Sequence, residues 1–257
     1  MSPVRDILSR QGREALQSLR GHRVLFAFDF DGTLAPLASH PNLVRVSKTV
    51  RSQLSTLAGF ASVAIISGRS LADLHRFFPR FRGSLIGNHG AEGLPEYRDA
   101  LSAARQACHI WRHCLLHLLR AYQPEDGVWL EDKKYSFTVH SHSPSALRAF
   151  NRYFTRQVLR SLPPMRFLPG KASVNILPAS MPDKGQAIGL LLRRMRAERS
   201  VFVGDDETDE DVFSVGGKRM ITVRVGRLSR THAAFYLRSQ KEIGRLLTEI
   251  VGVCRSF

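Results

Sequence analysis

The sequence predicts an α/β fold in which a parallel sheet flanked by helices is interrupted by an inserted α+β segment. Three apolar runs near the amino terminus predict the sheet, because each ends in a polar turn and is followed by a helical or turn pattern. These runs are 24–34, 61–69 and 84–90. Strands that alternate with helices favour right-handed crossovers and parallel pairing. Ligands of such sheets bind at the carboxyl ends of the strands, where all three runs place their polar residues.

The remaining elements of the core follow in order along the chain. An amphipathic stretch at 5–19 predicts an opening helix, and helix patterns recur at 47–57 and 71–78. The α/β pattern resumes after the insert. Its predicted elements there are helix 184–197, strand 200–206, helix 208–215, strand 220–225 and helix 240–251.

The pattern changes between about residue 95 and residue 182. The predicted elements of this segment are helix 100–122, strands 128–133 and 135–140, helix 144–162 and a hairpin over 166–177. Pro169 and Gly170 mark the turn of that hairpin. We therefore divide the chain into a core, 1–94 with 183–257, and an inserted α+β domain, 95–182, with a mainly antiparallel sheet.

Charge and composition narrow the class of partner. The chain of 257 residues has 38 Lys or Arg against 22 Asp or Glu, so its formal net charge is +16 with neutral histidines. A field of that sign attracts anions. Arginines are spread over the whole chain and no nucleic-acid-binding motif is present, so we expect a small phosphorylated substrate and no nucleic acid.

The sequence shows neither a membrane-spanning apolar run nor the apolar core of a signal peptide. No apolar run approaches the roughly 18–20 residues that span a bilayer. Charged residues throughout the first 25 positions exclude a signal-peptide core. Cys108, Cys114 and Cys254 form an odd, sparse set that does not suggest disulfides. We expect a cytoplasmic, monomeric protein that binds no membrane.

The sharpest motif is DFDGT at 29–33, directly after the first apolar strand. A carboxylate nucleophile at Asp29 splits phosphate ester hydrolysis into two displacements. Asp31, two residues on, is placed to protonate the leaving alkoxide and later to deprotonate water. Gly32 allows a sharp turn that exposes backbone N–H groups to phosphate. The alternative is a metal-binding or solvent-facing Asp pair, as in the short DxD of some glycosyltransferases.

A second acidic motif, Gly204-Asp205-Asp206, also ends an apolar strand. Phosphate beside two catalytic acids requires a divalent cation, and oxygen ligands suit Mg²⁺. Asp205 is the candidate distal ligand. Thr208 resembles a helix N-cap, so acids that follow it, such as Glu210 and Asp211, fit a first helical turn. Asp209 is equally suited to hold a metal-bound water.

Two further positions favour phosphate. Lys184 opens a predicted helix, where a cation opposes the helix dipole unless an anion lies nearby. Ser67 and Gly68 supply a hydroxyl and a backbone N–H where the second strand ends. Ser-Gly is also an ordinary turn, so this second signal depends on its position at the same sheet edge as Asp29.

Four motifs in this order resemble those of the haloacid dehalogenase superfamily. They are DFDGT at 29–33, ISGR at 66–69, DKG at 183–185 and GDDETDED at 204–211. The finer resemblance is to the trehalose-6-phosphate phosphatases and extends over nearly the whole chain. It includes NHGA at 88–91, EDK at 131–133, His140, GK at 170–171 and VRVG at 223–226.

The resemblance implies a Rossmann-like haloacid dehalogenase core with an inserted α/β cap that sets substrate specificity. It implies a Mg²⁺-dependent phosphatase of trehalose biosynthesis, which releases trehalose and phosphate through an aspartyl-phosphate. The implied catalytic and phosphate-binding residues are Asp29, Asp31, Ser67, Gly68 and Lys184. The implied metal ligands are Asp29, the Asp31 carbonyl and Asp205, with Asp206 and Asp209 as further candidates. The candidate sugar-binding residues are Arg69, His89, Glu131, Lys133, Lys171 and Asn175.

Three positions depart from that family's pattern. After the cap lysine the pattern reads G-K-x-x-x-E-I-K/R-P, whereas this chain reads GKASVNILP, with Asn175 for the acid and Leu177 for the base. The family often has an arginine two residues after His140, where this chain has His142. These departures leave the catalytic motifs intact and concern the distal sugar.

Other readings of the sequence stay open. Another capped sugar-phosphate phosphatase, acting on a glucosyl- or mannosyl-glycerate or glycerol phosphate, is the nearest alternative enzyme. A non-catalytic phosphosugar-binding domain is the alternative of a different class. His109, His113 and His117 recur every four residues and share a helix face, but no carboxylate completes a transition-metal site there. We interpret them as part of a soluble, partly packed helix face.

Overall fold

The computed structural model describes residues 4–38, 40–122, 128–141, 143–158, 162–170, 173–227 and 230–255. Lys171 and His142 lie outside the described residues. The chain divides into two compact units, a core unit of Met1–Gly93 with Asp183–Phe257 and an insert unit of Leu94–Pro182. None of the described helices combines the length and the apolar composition needed to cross a bilayer.

The strands of the described residues are short and number from the amino terminus. They are β1 (Arg5–Asp6), β2 (Val24–Phe28), β3 (Ser62–Ile66), β4 (Ser84–Ile86), β5 (Val128–Asp132), β6 (Phe137–Ser141), β7 (Met165–Pro169), β8 (Ser173–Pro178), β9 (Arg199–Gly204), β10 (Met220–Val225) and β11 (Phe235–Leu237).

The α-helices alternate with them. They are α1 (Arg10–Gln17), α2 (Lys48–Leu57), α3 (Leu71–Phe77), α4 (Arg98–Tyr122), α5 (Pro144–Val158), α6 (Lys184–Arg194), α7 (Glu210–Val215) and α8 (Ile243–Cys254).

The core unit contains a seven-stranded sheet in the order β1-β11-β10-β9-β2-β3-β4. Every neighbouring pair in it is parallel. Parallel strands bring their carboxyl ends to one edge of the sheet. We call the residues directly after β2, β3, β4 and β9 the carboxyl edge. The predicted α/β fold with a parallel sheet is confirmed.

Helices cover both faces of this sheet, which explains its unbroken apolar runs. All five residues of β2 are buried. On one face, Leu54 of α2 and Leu247 of α8 belong to the same buried cluster as Phe26 and Phe28. On the other, Phe213 of α7 contacts Phe202 of β9 edge to face, with ring centroids 5.8 Å apart.

The opening helix predicted at 5–19 is wrong in its first part. Arg5–Asp6 is an edge strand that pairs in parallel with Phe235 and Tyr236 of β11, a strand that the sequence pattern did not reveal. The Asp6 carboxylate accepts a hydrogen bond from Leu8 N, which turns the chain. The Ser9 hydroxyl accepts from Gly12 N and starts α1. A two-residue strand has no periodicity of its own, so only its partner defines it.

The insert unit contains a four-stranded antiparallel sheet in the order β5-β6-β8-β7. The hairpin predicted around Pro169 is thus formed by β7 and β8. Helices α4 and α5 pack on one face, where Trp111, Phe150 and Phe154 are fully buried with Val139 and Ile176. Strand side chains alternate between faces. The opposite face, which we call the polar face, therefore displays the other residues of each strand.

Candidate active site

Backbone hydrogen bonds that continue the β-sheet pairing hold the first residues of the carboxyl edge. Asp29 N donates to Val203 O at 2.8 Å, and Ser67 N donates to Ile86 O at 2.9 Å. Each residue therefore extends its strand by one position, which fixes the direction of its side chain. His89 N donates to Ser67 O at 2.9 Å and joins the loop after β4 to the same edge.

Lys184 lies between two of the predicted carboxylates. Its Nζ donates to Asp29 Oδ1 at 2.7 Å and to Asp209 Oδ1 at 2.8 Å. All three residues are buried. A buried ammonium that bridges two carboxylates satisfies charges that would be costly alone. The Asp183 side chain accepts from Gln186 N and caps α6, which holds Lys184 at the first helical position.

The charges of this cluster act on one another. Burial raises the pKa of Asp29, Lys184 lowers it, and the Asp209 and Asp205 carboxylates raise it; the net pKa lies well above its usual range. Burial by itself lowers the pKa of Lys184, but Asp209 and Asp29 outweigh burial and hold that pKa above its usual value. Lys184 is therefore a permanent cation at the edge.

Both oxygens of Asp209 are engaged by the chain. Oδ1 accepts from Lys184, and Oδ2 accepts from the backbone N of Asp205 at 2.8 Å and of Asp206 at 3.0 Å. Asp209 thus shapes the loop that presents Asp205. The predicted N-cap at Thr208 is wrong: the Asp206 side chain accepts from Glu207 N and caps a short 3₁₀ turn, Glu207–Asp209, before α7.

The residues present fit a hard divalent cation. Carboxylate oxygens of Asp29, Asp205 and Asp209 lie within 4.8 Å of one another, the one such group among the described residues. A donor set of oxygens alone suits Mg²⁺. Gly32, at φ +82°, leaves room for Asp205, since a Cβ there would lie 2.2 Å from its Oδ2. The Asp206 carboxylate serves the cap described above.

Asp31 lies apart from that oxygen cluster and is held by Arg69. Arg69 Nε donates to Asp31 Oδ2 at 2.7 Å, and its Nη2 donates to Oδ1 at 2.8 Å. The guanidinium lies over the rings of Phe30 and Phe77, at 5.2 and 5.0 Å from their centroids. Nη2 also donates to Pro41 O at 3.2 Å. Arg69, predicted to bind the sugar, is thus held in place by four neighbours, Asp31 among them.

His89 packs directly against the Ser67-Gly68 turn. A Cβ on Gly68 would lie 2.6 Å from the His89 ring, so the turn needs glycine there. His89 has φ +57°, and the preceding Asn88 has φ +47°. Glu92 stabilises this bend because its Oε2 accepts from both Asn88 Nδ2 and Leu71 N at 2.8 Å. Ser67 Oγ accepts from Arg69 N at 3.2 Å.

Sequence reasoning missed Arg224, which ends near the acidic loop. Its Nη2 donates to Asp205 O at 2.9 Å and its Nη1 to Asp206 O at 3.3 Å. Glu210 Oε1 accepts from Arg224 Nη1 at 2.8 Å, so Glu210 anchors this arginine as well as opening α7. The sequence did carry one signal for it: Arg224 is the only charged residue in the mostly apolar run of β10.

The polar face of the insert unit brings together several predicted sugar-binding residues. Glu131 Oε2 lies 2.8 Å from His140 Nε2 and 3.9 Å from Lys133 Nζ. The His140 ring stacks on Trp129, with centroids 5.1 Å apart. Asn175 is committed within the sheet, since its Oδ1 accepts from Thr138 Oγ1 at 2.7 Å.

The histidines of α4 form no metal site in the described part of the chain. His109 and His113 are ring neighbours, with centroids 6.1 Å apart and nearly perpendicular planes. The one metal-type cluster found there is the aspartate group of the core unit.

Comparison with known proteins gives one consistent result. Residues 27–241 match the sequence profile of the family described as trehalose-phosphatase. Trehalose-phosphate phosphatase B of Arabidopsis thaliana is 24% identical over 257 residues, covering 93% of this chain and 69% of the relative. Trehalose 6-phosphate phosphatase RA3 of Zea mays is 26% identical over 244 residues, covering 86% and 67%.

Solved structures agree on the fold. The C-terminal domain of C. albicans trehalose-6-phosphate phosphatase has a TM-score of 0.78 at 21% identity, over 97% of this chain and 98% of that one. A trehalose-6-phosphate phosphatase related protein has a TM-score of 0.70 at 23% identity, over 90% and 99%.

We expect Lys184→Met to destabilise the protein by about 3–5 kcal/mol, because it leaves buried carboxylates without their cation. Urea unfolding in excess chelator measures the change. Lys48→Met, at the exposed start of α2, is the matched control and should stay within about 0.5 kcal/mol of wild type. A loss below ~1 kcal/mol for Lys184→Met would contradict the role given to this ammonium.

Proposed function

This chain belongs to the trehalose-phosphatase family and is a phosphatase, and from that premise we propose that it hydrolyses trehalose 6-phosphate to trehalose and phosphate. The proposal includes an aspartyl-phosphate on Asp29 and dependence on Mg²⁺. The observation that most supports it is the buried Asp29 carboxylate at the end of β2, paired with Lys184 and beside Asp205.

In the first step, a carboxylate oxygen of Asp29 attacks phosphorus and the bond from phosphorus to the sugar oxygen breaks. Burial raises the pKa of Asp29, which a divalent cation beside it would offset and so hold it as the carboxylate. Asp31 gives its proton to the leaving alkoxide, and the sugar departs as an alcohol. Lys184 uses two of its three N–H groups on Asp29 and Asp209, which leaves a third for a phosphate oxygen. Ser67 and the turn at Gly68 provide further donors.

In the second step, water attacks the aspartyl-phosphate. Asp31, now a carboxylate, takes the proton of this water, and inorganic phosphate leaves as Asp29 is restored. Bound Mg²⁺ would neutralise phosphate charge beside Asp29 and Asp205, with the Asp31 carbonyl as a further ligand. We assign structural roles to the other two acids: the Asp209 carboxylate orders the loop that carries Asp205, and the Asp206 carboxylate caps the turn that follows.

Arg69 we assign to the acid/base rather than to the sugar. Both oxygens of Asp31 accept from its guanidinium, and the flanking phenyl rings limit its movement. Such a fork fixes the plane of the carboxylate. Arg69 thus orients Asp31 while the nucleophile is oriented separately by Lys184.

The insert unit we propose as the cap that recognises the sugar. Its polar face offers Glu131, Lys133 and His140 as a polar cluster opposite a face packed on helices. The Lys133 side chain is only 8% exposed, whereas a lysine without a specific role is normally exposed to solvent. The predicted sugar ligand Lys171 stays a prediction, since it lies outside the described residues.

A panel of sugar phosphates tests the substrate. Release of phosphate from trehalose 6-phosphate in preference to glucosylglycerate and glycerol phosphates is the expected result. Preference for one of the latter would replace the proposed substrate by another capped-phosphatase substrate. Absence of turnover on every member, with binding retained, would favour a phosphosugar-binding protein.

We expect Asp29→Asn to lower the turnover of trehalose 6-phosphate by at least about 1,000-fold while the protein stays folded, because the nucleophile is removed. Phosphate release and circular dichroism measure the two effects. Asp99→Asn, at the exposed start of α4, should behave as wild type. Retention of a few per cent of activity by Asp29→Asn, confirmed by mass spectrometry to be free of deamidation, would rule out the covalent mechanism.

Chelation should remove activity and Mg²⁺ should restore it, whereas Ca²⁺ and Zn²⁺ should restore it poorly because their preferred coordination differs. Calorimetric titration of Mg²⁺ into the apoprotein gives a readout independent of turnover. Asp205→Asn should weaken that binding by at least about tenfold, equivalent to ~1.4 kcal/mol. Undiminished turnover in excess chelator would contradict the metal assignment.

We expect Lys133→Ala to lower kcat/KM for trehalose 6-phosphate by about 10- to 150-fold, since a charge-assisted hydrogen bond contributes roughly 1.5–3 kcal/mol. Hydrolysis of p-nitrophenyl phosphate, which lacks the sugar, should change by less than about threefold. Lys134→Ala is the control, because this neighbouring lysine is exposed and its Nζ lies over the Tyr135 ring, 4.9 Å from the centroid, rather than beside Glu131. Equal losses on both substrates would mean that the insert unit is not the specificity element.

A further inference from the structure

We propose that Arg166 is a further specificity-determining residue, whose guanidinium donates hydrogen bonds to a hydroxyl of the substrate sugar. The inference rests on the proposed function and adds a residue to it. No motif of the sequence singled Arg166 out, because its assignment depends on the pairing of β7 with β8.

Register and packing place Arg166 on the polar face. Its neighbours along β7, Met165 and Phe167, pack against the buried cluster under α4 and α5. Since side chains alternate along a strand, Arg166 points to the opposite side. That side displays Glu131 of β5, through the pairing of β5 with β6 and of β6 with β8. Lys133 lies directly after β5, with its Nζ 3.9 Å from Glu131 Oε2.

The residue across from Arg166 supplies no polar group. Arg166 pairs directly with Leu177, whose side chain is fully buried. The diagonal neighbour Asn175 is already bonded, since its Oδ1 accepts from Thr138 Oγ1 and its Nδ2 donates to Leu168 O at 3.4 Å. Within the described parts of β7 and β8, Arg166 is therefore the charged side chain of this face.

The guanidinium is oriented but not saturated. One group, Nη2, donates to Met181 O, which ties the side chain to the segment after β8. Its Nε is buried and makes no hydrogen bond to any described residue. A buried donor without a partner is costly, and native structures seldom keep one without a reason. The side chain as a whole is only partly buried, and its Nη1 adds two further N–H donors to the guanidinium.

Sugar hydroxyls are a suitable partner for such a group. A guanidinium presents five donors in a fixed plane, which matches the closely spaced oxygens of a pyranose ring. The base that the trehalose-6-phosphate phosphatases usually carry at position 177 is a leucine here. Cβ atoms of directly paired residues lie only about 4.5–5.5 Å apart, so Arg166 brings a base to nearly the same place from the neighbouring strand.

A swap across the strand pair provides the test. Arg166→Leu should lower kcat/KM for trehalose 6-phosphate by about 10- to 150-fold, and should change p-nitrophenyl phosphate hydrolysis by less than about threefold. The double variant Arg166→Leu with Leu177→Arg restores a base on the same face and should recover at least about tenfold of the loss. Arg148→Leu, on the exposed side of α5, is the control and should match wild type.

Two results would overturn the inference. One is an equal loss on both substrates, which would assign Arg166 to the stability of the insert unit; urea unfolding of each variant then shows the matching decrease. The other is an unchanged kcat/KM in Arg166→Leu. If wild-type protein prefers another sugar phosphate in the panel, the proposed substrate fails, and the same variants are compared on the preferred substrate with the same two criteria.

Discussion

The buried ammonium of Lys184 between Asp29 and Asp209 is the interaction on which the rest of the site depends. Three carboxylates gather at the carboxyl edge within 4.8 Å of one another, and their mutual repulsion would open the edge without a fixed cation. Lys184 neutralises part of that charge. Asp209, which Lys184 holds in place, also accepts a hydrogen bond from the backbone N of Asp205 and so fixes the loop that carries this residue. By the proposed function, a divalent cation and a phosphate group would complete the balance of charge, so the same cluster would serve both the structure and the chemistry.

Asp31, the proposed acid/base, is oriented separately from that cluster. Arg69 holds Asp31 from the side of α3, between two phenyl rings, while Lys184 holds Asp29 from the start of α6. Two cations therefore fix two carboxylates that lie only two residues apart in the chain. Such separation allows one aspartate to act as nucleophile and the other to transfer protons, because each has its own environment.

The sheet of the insert unit differs from that of the core unit, because it has one apolar face and one polar face. Helices α4 and α5 cover the apolar face, and the polar face is left to Glu131, Lys133, His140 and, by our inference, Arg166. The three departures from the family's pattern fall in this unit, while the carboxyl edge keeps its acids and its lysine. If the proposed function holds, this chain differs from the family's pattern in the residues proposed to bind the distal sugar and keeps those proposed to break the bond.

The sequence by itself determined the alternation of strands and helices, the antiparallel insert and the residues of the acidic motifs, because these follow from local periodicity and turn chemistry. It did not determine the edge strand β1 and its neighbour β11, the cap at Asp206, or the partners of Arg69, Arg166 and Arg224. Each of those depends on a group distant in the chain: β1 on β11, Arg69 on Asp31, and Arg224 on Glu210 and the loop at Asp205. Lys184 and Asp29 are 155 positions apart and meet only because α6 and β2 place them at one edge. Hydrogen bonds of this kind are chosen by strand register and packing, so the tertiary structure alone decides which charge faces which.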